Sequence, residues 1–380
     1  MTRLARSLAL ATCLGAVLAA HRTLEAQSVA ASVAAGVAGL STSGSADAFK
    51  SQYFLGEGFF LEELAVSARG ADGREKLEIS AWGFGGAEPA EAAHFAWLPN
   101  DCWKFELDFD KRWSFLGLAE ADAGSRSDLW RIERWRGSVT WDGSSWGKFS
   151  LNLRRHDRSG TIHQPYFGLN ELYPLRVELD EAFTEAALRF ETTADGPFHF
   201  SVEPSYGFFR RENRWFPDGP GNDVDVFASA ASTRKDEQEI PGARAAASYR
   251  TDRFEAVAGM LWSGSDLDAT GDRSVAWGLG GGSIGKVEHV DQTIGSASLD
   301  TLAGNLRLGI GLGGGFVLRL TGDARDRTTD STLLGRRLLR ISNPAGGGLE
   351  IPGTVNETGL FDTRDLMGRA ALALAKPRFG

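Results

Sequence analysis

The sequence predicts an all-β chain, folded as a transmembrane antiparallel up-and-down β-barrel with about fourteen strands. Three observations lead there. Segments of roughly ten residues alternate between apolar and polar side chains. Their connections alternate between short turns and long polar stretches, and the chain opens with an export-type leader.

The clearest segment is CWKFELDFDKRW, residues 102–113. Successive strand side chains point to opposite faces, so Trp103, Phe105, Leu107 and Phe109 share one side while Lys104, Glu106, Asp108 and Asp110 share the other. KLEIS (76–80), KFSLNLR (148–154), ALRFE (187–191) and FHFSVE (198–203) repeat the pattern. NLRLGIGLGGGFVLRLT (305–321) reads as two such strands joined through Gly313–Gly315, and SVAASVAAGVAG (28–39) as a weaker one. Glycine supports this reading: 47 residues of 380 is well above the usual ~7%, and glycine is a poor helix-interior residue.

Short turns are predicted at 70–73, 98–101, 142–145, 193–196, 250–252 and 313–315. Long polar loops are expected at 114–134, 157–183, 208–241, 264–301 and 327–364. Membrane barrels show this short–long alternation by construction, and an even strand count puts both chain ends on the periplasmic side. The apolar face of each strand would then meet lipid and the polar face a wet lumen. Candidate lumen-lining residues are Lys104, Glu106, Asp108, Asp110, Lys148, Asn152, Arg154, Arg189, Glu191, Arg307 and Arg319. Eleven tryptophans against five tyrosines also fit, because indole is suited to the headgroup region. Trp103, Trp113, Trp141 and Trp146 are the candidate aromatic girdle, and Trp82 and Trp262 lie near predicted strand ends.

Arg3 and Arg6 precede an apolar run, Leu8–Ala20, which is too short to span a bilayer and suits a signal peptide. Cleavage is expected after Ala20 or, preferably, Ala26. That gives a signal peptide over 1–26 and a barrel over 27–380. RAALALAKPRFG (369–380) is weak as a closing strand, since it is small-residued and contains Pro377, so the barrel is expected to continue beyond Gly380. Of two cysteines, Cys13 lies in the leader (a lipobox there is the lesser reading), which leaves Cys102 without a disulfide partner. The absence of Cys-x-x-Cys excludes c-type haem attachment and a cysteine zinc site within this chain. A net charge of −9 argues against a nucleic-acid partner.

Other motifs read as structure. Gly143–Gly147 matches Gly-x-Ser-x-Gly around Ser145 but sits in a hairpin turn with no helix to follow. Gly280–Val287 nearly matches a phosphate loop, yet Val287 replaces the magnesium-binding hydroxyl. His94, His156, His163, His199 and His289 are scattered, and Asp218, Asp223 and Asp225 read as a solvated loop. No catalytic residue, metal site or cofactor is expected.

YFLGEGFFLEELAVSARG (53–70), DLWRIERWRGSVTWDGSSW (128–146) and RRHDRSGTIHQPYFGL (154–169) together resemble bacterial outer-membrane barrels of the MtrB/PioB type, in the order of strand, turn and loop signals over about 28–376. The resemblance implies a sheath around a periplasmic multihaem c-type cytochrome serving extracellular electron transfer, or a porin-like channel. The paired cysteines that some members carry near the mature N-terminus are missing here. The functional expectation is an outer-membrane pore or sheath, with membrane lipid as its surroundings and no catalysis. The alternatives are a secreted soluble β-sheet binding protein and, less favoured, an outer-membrane lipase-type enzyme.

Overall fold

The computed structural model describes residues 26–38, 58–85, 90–119, 125–168, 171–192, 196–217, 227–279, 284–313, 316–342 and 348–374. Among them there are fifteen strands and no helix. They are β1 (Ala26–Ala38), β2 (Gly58–Gly70), β3 (Lys76–Trp82), β4 (Phe84–Gly85), β5 (Ala90–Asn100), β6 (Trp103–Ala119), β7 (Ser125–Trp141) and β8 (Lys148–Gly168). There follow β9 (Glu171–Glu191), β10 (Phe198–Pro217), β11 (Phe227–Arg250), β12 (Phe254–Leu279), β13 (Ile284–Gly313), β14 (Phe316–Ser342) and β15 (Gly348–Leu374).

Fourteen of them form one antiparallel path in chain order, with the two-residue β4 set beside β2. The up-and-down topology and strand number match the sequence expectation. The sheet is open, with β1 and β15 at its edges.

The short turns form because polar side chains satisfy the backbone groups that reversal leaves unpaired. Asn100 Oδ1 accepts from the amides of Cys102 and Trp103 at 2.9 and 3.0 Å. Asp72 Oδ1 accepts from Arg74 N at 3.0 Å, and the amide of Phe254 donates to Thr251 Oγ1 at 3.2 Å. In the Gly143–Gly147 motif the engaged residue is Ser144, whose hydroxyl donates to Gly147 O at 2.6 Å and accepts from Gly147 N at 3.0 Å. Strand β8 follows directly, as turn chemistry requires.

The expected long loops are corrected. Most of 114–134, 157–183, 208–241, 264–301 and 327–364 is strand, and β13 alone runs for 30 residues. Charged residues on both faces suggest a loop when read singly, but antiparallel pairing sets opposite charges side by side. Arg337 pairs with Asp291 at 3.2 Å, Arg340 with Glu350 at 2.8 Å and Arg364 with Asp326 at 3.0 Å. The near-match to a phosphate loop runs into strand as well, since Ile284 opens β13, while residues 280–283 lie outside the described residues. Asp218, Asp223 and Asp225 also lie outside them.

Side-chain burial is concentrated in two places. On β2 and β3, Val66, Ala68, Leu77 and Ile79 pack together with Leu64 and Phe95. Further along, Leu175, Val177 and Leu179 are buried on β9, Val177 to 1% exposure. Between β5 and β6, Lys111 Nζ donates to Glu91 at 2.9 Å with both side chains buried.

Two substitutions test this packing. Gly160 has φ of +144°, and an added Cβ would lie 2.3 Å from Leu129 O, so Gly160→Ala is expected to cost about 2 kcal/mol or more, read as a lowered urea midpoint. Glu91→Ala strands a buried ammonium and is expected to cost about 3–5 kcal/mol, whereas the double change Glu91→Leu with Lys111→Met recovers most of that loss in the same assay.

Candidate lumen wall and its charged cleft

Register decides which residues share a face. Lys104 lies opposite Thr140, Thr140 opposite Ser150, and Ser150 opposite Arg189. One row toward the short turns, Lys148 lies opposite Glu191, followed by Ser201, Ala246, Gly259, Asn305 and Asp323 on β10 to β14. Arg307 is two residues from Asn305, and Arg319 four from Asp323. By this parity all eleven candidate lining residues occupy a single polar face. Nine of them gather on β6, β8 and β9; Arg307 and Arg319 lie several strands away on β13 and β14.

The opposite face is apolar over a limited height. It holds Trp103–Phe109 on β6, Trp135–Trp141 on β7 and Phe149–Leu153 on β8 at alternate positions. Further along it holds Phe198, Phe200, Val202, Tyr206 and Phe208 on β10, Phe254–Trp262 on β12 and Leu302–Leu312 on β13. The tallest stretches span 9 to 11 residues. At ~3.3 Å per residue and ~40° tilt, eleven residues cover about 25 Å, the height of a lipid-facing band. On β8, β9 and β12 these side chains stay open, Leu153 and Leu188 at 51% exposure and Met260 at 54%, whereas on β2 and β3 the same face is buried at Val66, Ala68, Leu77 and Ile79. Beyond the band the same face turns charged, with Lys111, Glu133, Arg155 and Asp157 in adjacent positions.

Aromatic rings edge the band at the short-turn end. Trp97 stacks on Phe105 at 5.3 Å, Phe105 on Trp103 at 6.0 Å, and Trp103 meets Trp141 at 6.5 Å. Trp141 continues to Phe149 at 5.8 Å, Phe149 to Phe190 at 4.9 Å, and Trp146 caps both phenylalanines. Trp113 sits ten residues up β6 from Trp103, past the opposite limit of the band, with Lys111 and Arg131 over its ring at 5.4 and 5.7 Å. The four girdle candidates therefore bracket the apolar height. Trp82 instead shares the polar face with Ser80, and Trp262 marks the upper limit of the band on β12 rather than a strand end.

Charges on the polar face are largely paired at short range. Lys104 contacts Glu106 at 2.6 Å, Arg189 contacts Glu191 at 3.1 Å, and Arg154 donates to Glu185. The densest group lines a cleft of about 380 Å³ across β3, β5, β6 and β7, formed by Ser80, Trp82, His94, Asp108, Asp110, Arg112, Arg134 and Arg136. His94 Nδ1 lies 2.7 Å from Asp108. Asp110 accepts from Arg112 Nε at 3.0 Å and has Arg134 at 3.6 Å. Of these residues only Asp108 and Asp110 were candidates from sequence; His94 counted there as one of several scattered histidines. His94 and Asp108 are directly opposite each other on β5 and β6, so the signal was same-face pairing across strands. Among the described residues no group of three His, Cys, Asp or Glu side chains is placed to hold a metal.

No family model matches the chain, and no curated protein matches it. Among solved structures it is similar to the crystal structure of the ferric yersiniabactin uptake receptor FyuA from Yersinia pestis, at 11% identity and a TM-score of 0.42, over 80% of this chain and 60% of the receptor. This chain thus spans about 60% of that receptor's length.

The two faces separate experimentally. Leu188→Arg, mid-band on the apolar face, is expected to cost about 2–4 kcal/mol of folding stability in lipid vesicles. Asn152→Arg on the polar face changes that stability by less than about 0.5 kcal/mol, both being read by denaturant titration of the reconstituted protein.

Proposed function

We propose that the chain is the wall of an outer-membrane β-barrel whose polar face encloses a hydrated conduit. The observation that carries this reading is the apolar band from β6 to β13, with large side chains left exposed on one side of the sheet and limited to the height of a bilayer core. A water-soluble protein rarely exposes apolar surface on that scale. Strand spanning also meets the demand that every backbone polar group be paired in hydrocarbon, because each interior strand is laddered on both sides. Closure of the open sheet into a barrel belongs to the proposal, since an exposed edge in lipid would leave a row of such groups unpaired.

The polar face supports a wetted lumen of mixed charge, in which ions and small polar solutes pass without strong overall selection. The likeness to MtrB/PioB barrels extends the reading to a sheath, in which a multihaem cytochrome occupies the same space. In planar bilayers the purified protein is expected to give steady ohmic conductance if the lumen is open. A low conductance together with a co-purifying haem protein marks the sheath. Brominated acyl chains are expected to quench Trp103, Trp141 and Trp146 in reconstituted vesicles. Full fluorescence from all three in brominated lipid overturns the membrane reading.

A further inference from the structure

We propose that the cleft between β3 and β7 is a binding station for small organic anions, formed around the guanidinium of Arg136. This rests on the conduit reading, since it places the station on the lumen wall.

Arg136 is directly opposite Asp108 on one side and Arg154 on the other. Both neighbours are already engaged, Asp108 by His94 at 2.7 Å and Arg154 by Glu185. Asp110, the other carboxylate in the cleft, is shared by Arg112 and Arg134. Arg136 is exposed and makes no ion pair or hydrogen bond among the described residues. It is thus a cation left over in a cleft whose two carboxylates are both engaged. Lys148, Arg307 and Arg319 on the same face also make no ion pair among the described residues, but none of them lines the cleft. Three arginines face two aspartates there, so the local balance is positive in a chain of net charge −9. A planar guanidinium with free donors matches a carboxylate in bidentate geometry.

The far wall adds a preference. Trp82 lines the same cleft from β3 and is 47% exposed, although it stands on the polar face. An indole there has no lipid to meet, and with Ala92 beside it offers an apolar platform. Strands β3 and β7 are three ladder spacings apart, about 14 Å across the sheet. That gap exceeds what one inorganic ion bridges, and long side chains reaching in from both sides narrow it to the size of a small organic acid. The ligand class is therefore a carboxylate with an apolar body, the carboxylate on Arg136 and the body on Trp82.

The test titrates the detergent-solubilised full chain with sodium benzoate, following the tryptophan emission that Trp82→Phe removes. Saturable quenching is expected, weakened about tenfold or more by Arg136→Gln, with Arg136→Lys intermediate because it keeps charge but loses the fork. Choline, a cation of similar size, is expected to give no response. Equal affinity for benzoate in wild type and Arg136→Gln overturns the station. Inorganic phosphate binding as tightly as benzoate overturns the organic part of the assignment. The readout needs no current, so benzoate binding with neither bilayer conductance nor a co-purifying haem protein faults the conduit reading alone, while conductance without benzoate binding faults the station alone.

Discussion

The rest of the structure depends on one constraint: the hydrogen-bond register is held across fourteen strands through nearly all of the apolar band. Side-chain period along a strand is two, so a shift by one residue would carry every apolar side chain to the polar face. Register irregularities do occur, but most lie near strand ends: Trp97/Asn100 beside a turn, Phe227/Ser229 and Gly278/Leu279 at the far ends of β11 and β12, and Gly311/Gly313 at a hairpin. The one interior bulge, at Ala34/Ala35 of β1, falls in an edge strand of small residues, where little packing specifies the pairing. Apart from the bulge at Leu312, on the rim of the band, the ladder is unbroken where the face matters most.

Past the band the two faces exchange character. On β9 the apolar positions are even near the short turn, Ala186, Leu188 and Phe190, and odd further on, Leu175, Val177 and Leu179. The odd set lies on the face that holds Arg189 and Glu191 lower down, and it is buried there. The other side carries Arg176, Glu178 and Asp180. Ile132 on β7 and Ile162 on β8 follow the same exchange, and Ile162 is directly opposite Val177. The solvent on each side accounts for it. On the proposed membrane reading, hydrocarbon at band height favours an apolar outer face; above it that face meets water, which favours charge there and leaves the apolar side chains of β9 to pack on the opposite face.

That exchange explains what was legible in the sequence. The band strands were, because KFSLNLR and ALRFE alternate in one phase over enough residues to be read alone. The extensions were not. In LYPLRVELDEAFTEAALRFE the alternation changes phase near Ala182, and a window across the change averages to no period. The charge density there resembles a solvated loop until the partner strand is aligned and its opposite charges fall into place. The cleft is hidden for the same reason: Arg134 lies in a stretch that reads as loop, and the link between His94 and Asp108 spans two strands whose register single-strand alternation does not supply.

Charge pairing on the polar face bears on how such a wall selects. Adjacent opposite charges, as in Lys104 with Glu106 or Arg189 with Glu191, cancel within a few ångströms, and their field is screened over about 8 Å at physiological salt. A wall built entirely of such pairs stays hydrated and discriminates weakly, whatever its number of charged residues. Selection then falls to places where the pairing is incomplete. At Arg136 the carboxylate opposite, Asp108, is engaged by His94 and the other neighbour, Arg154, is a like charge, so its own charge is expressed toward the space in front of the wall. Counting lining charges would assign that residue the same weight as Arg189, while the pairing pattern separates them. On the proposed conduit reading, a position such as Arg136, set in a cleft and without an ion pair among the described residues, governs what dwells there more than the sum of the wall does.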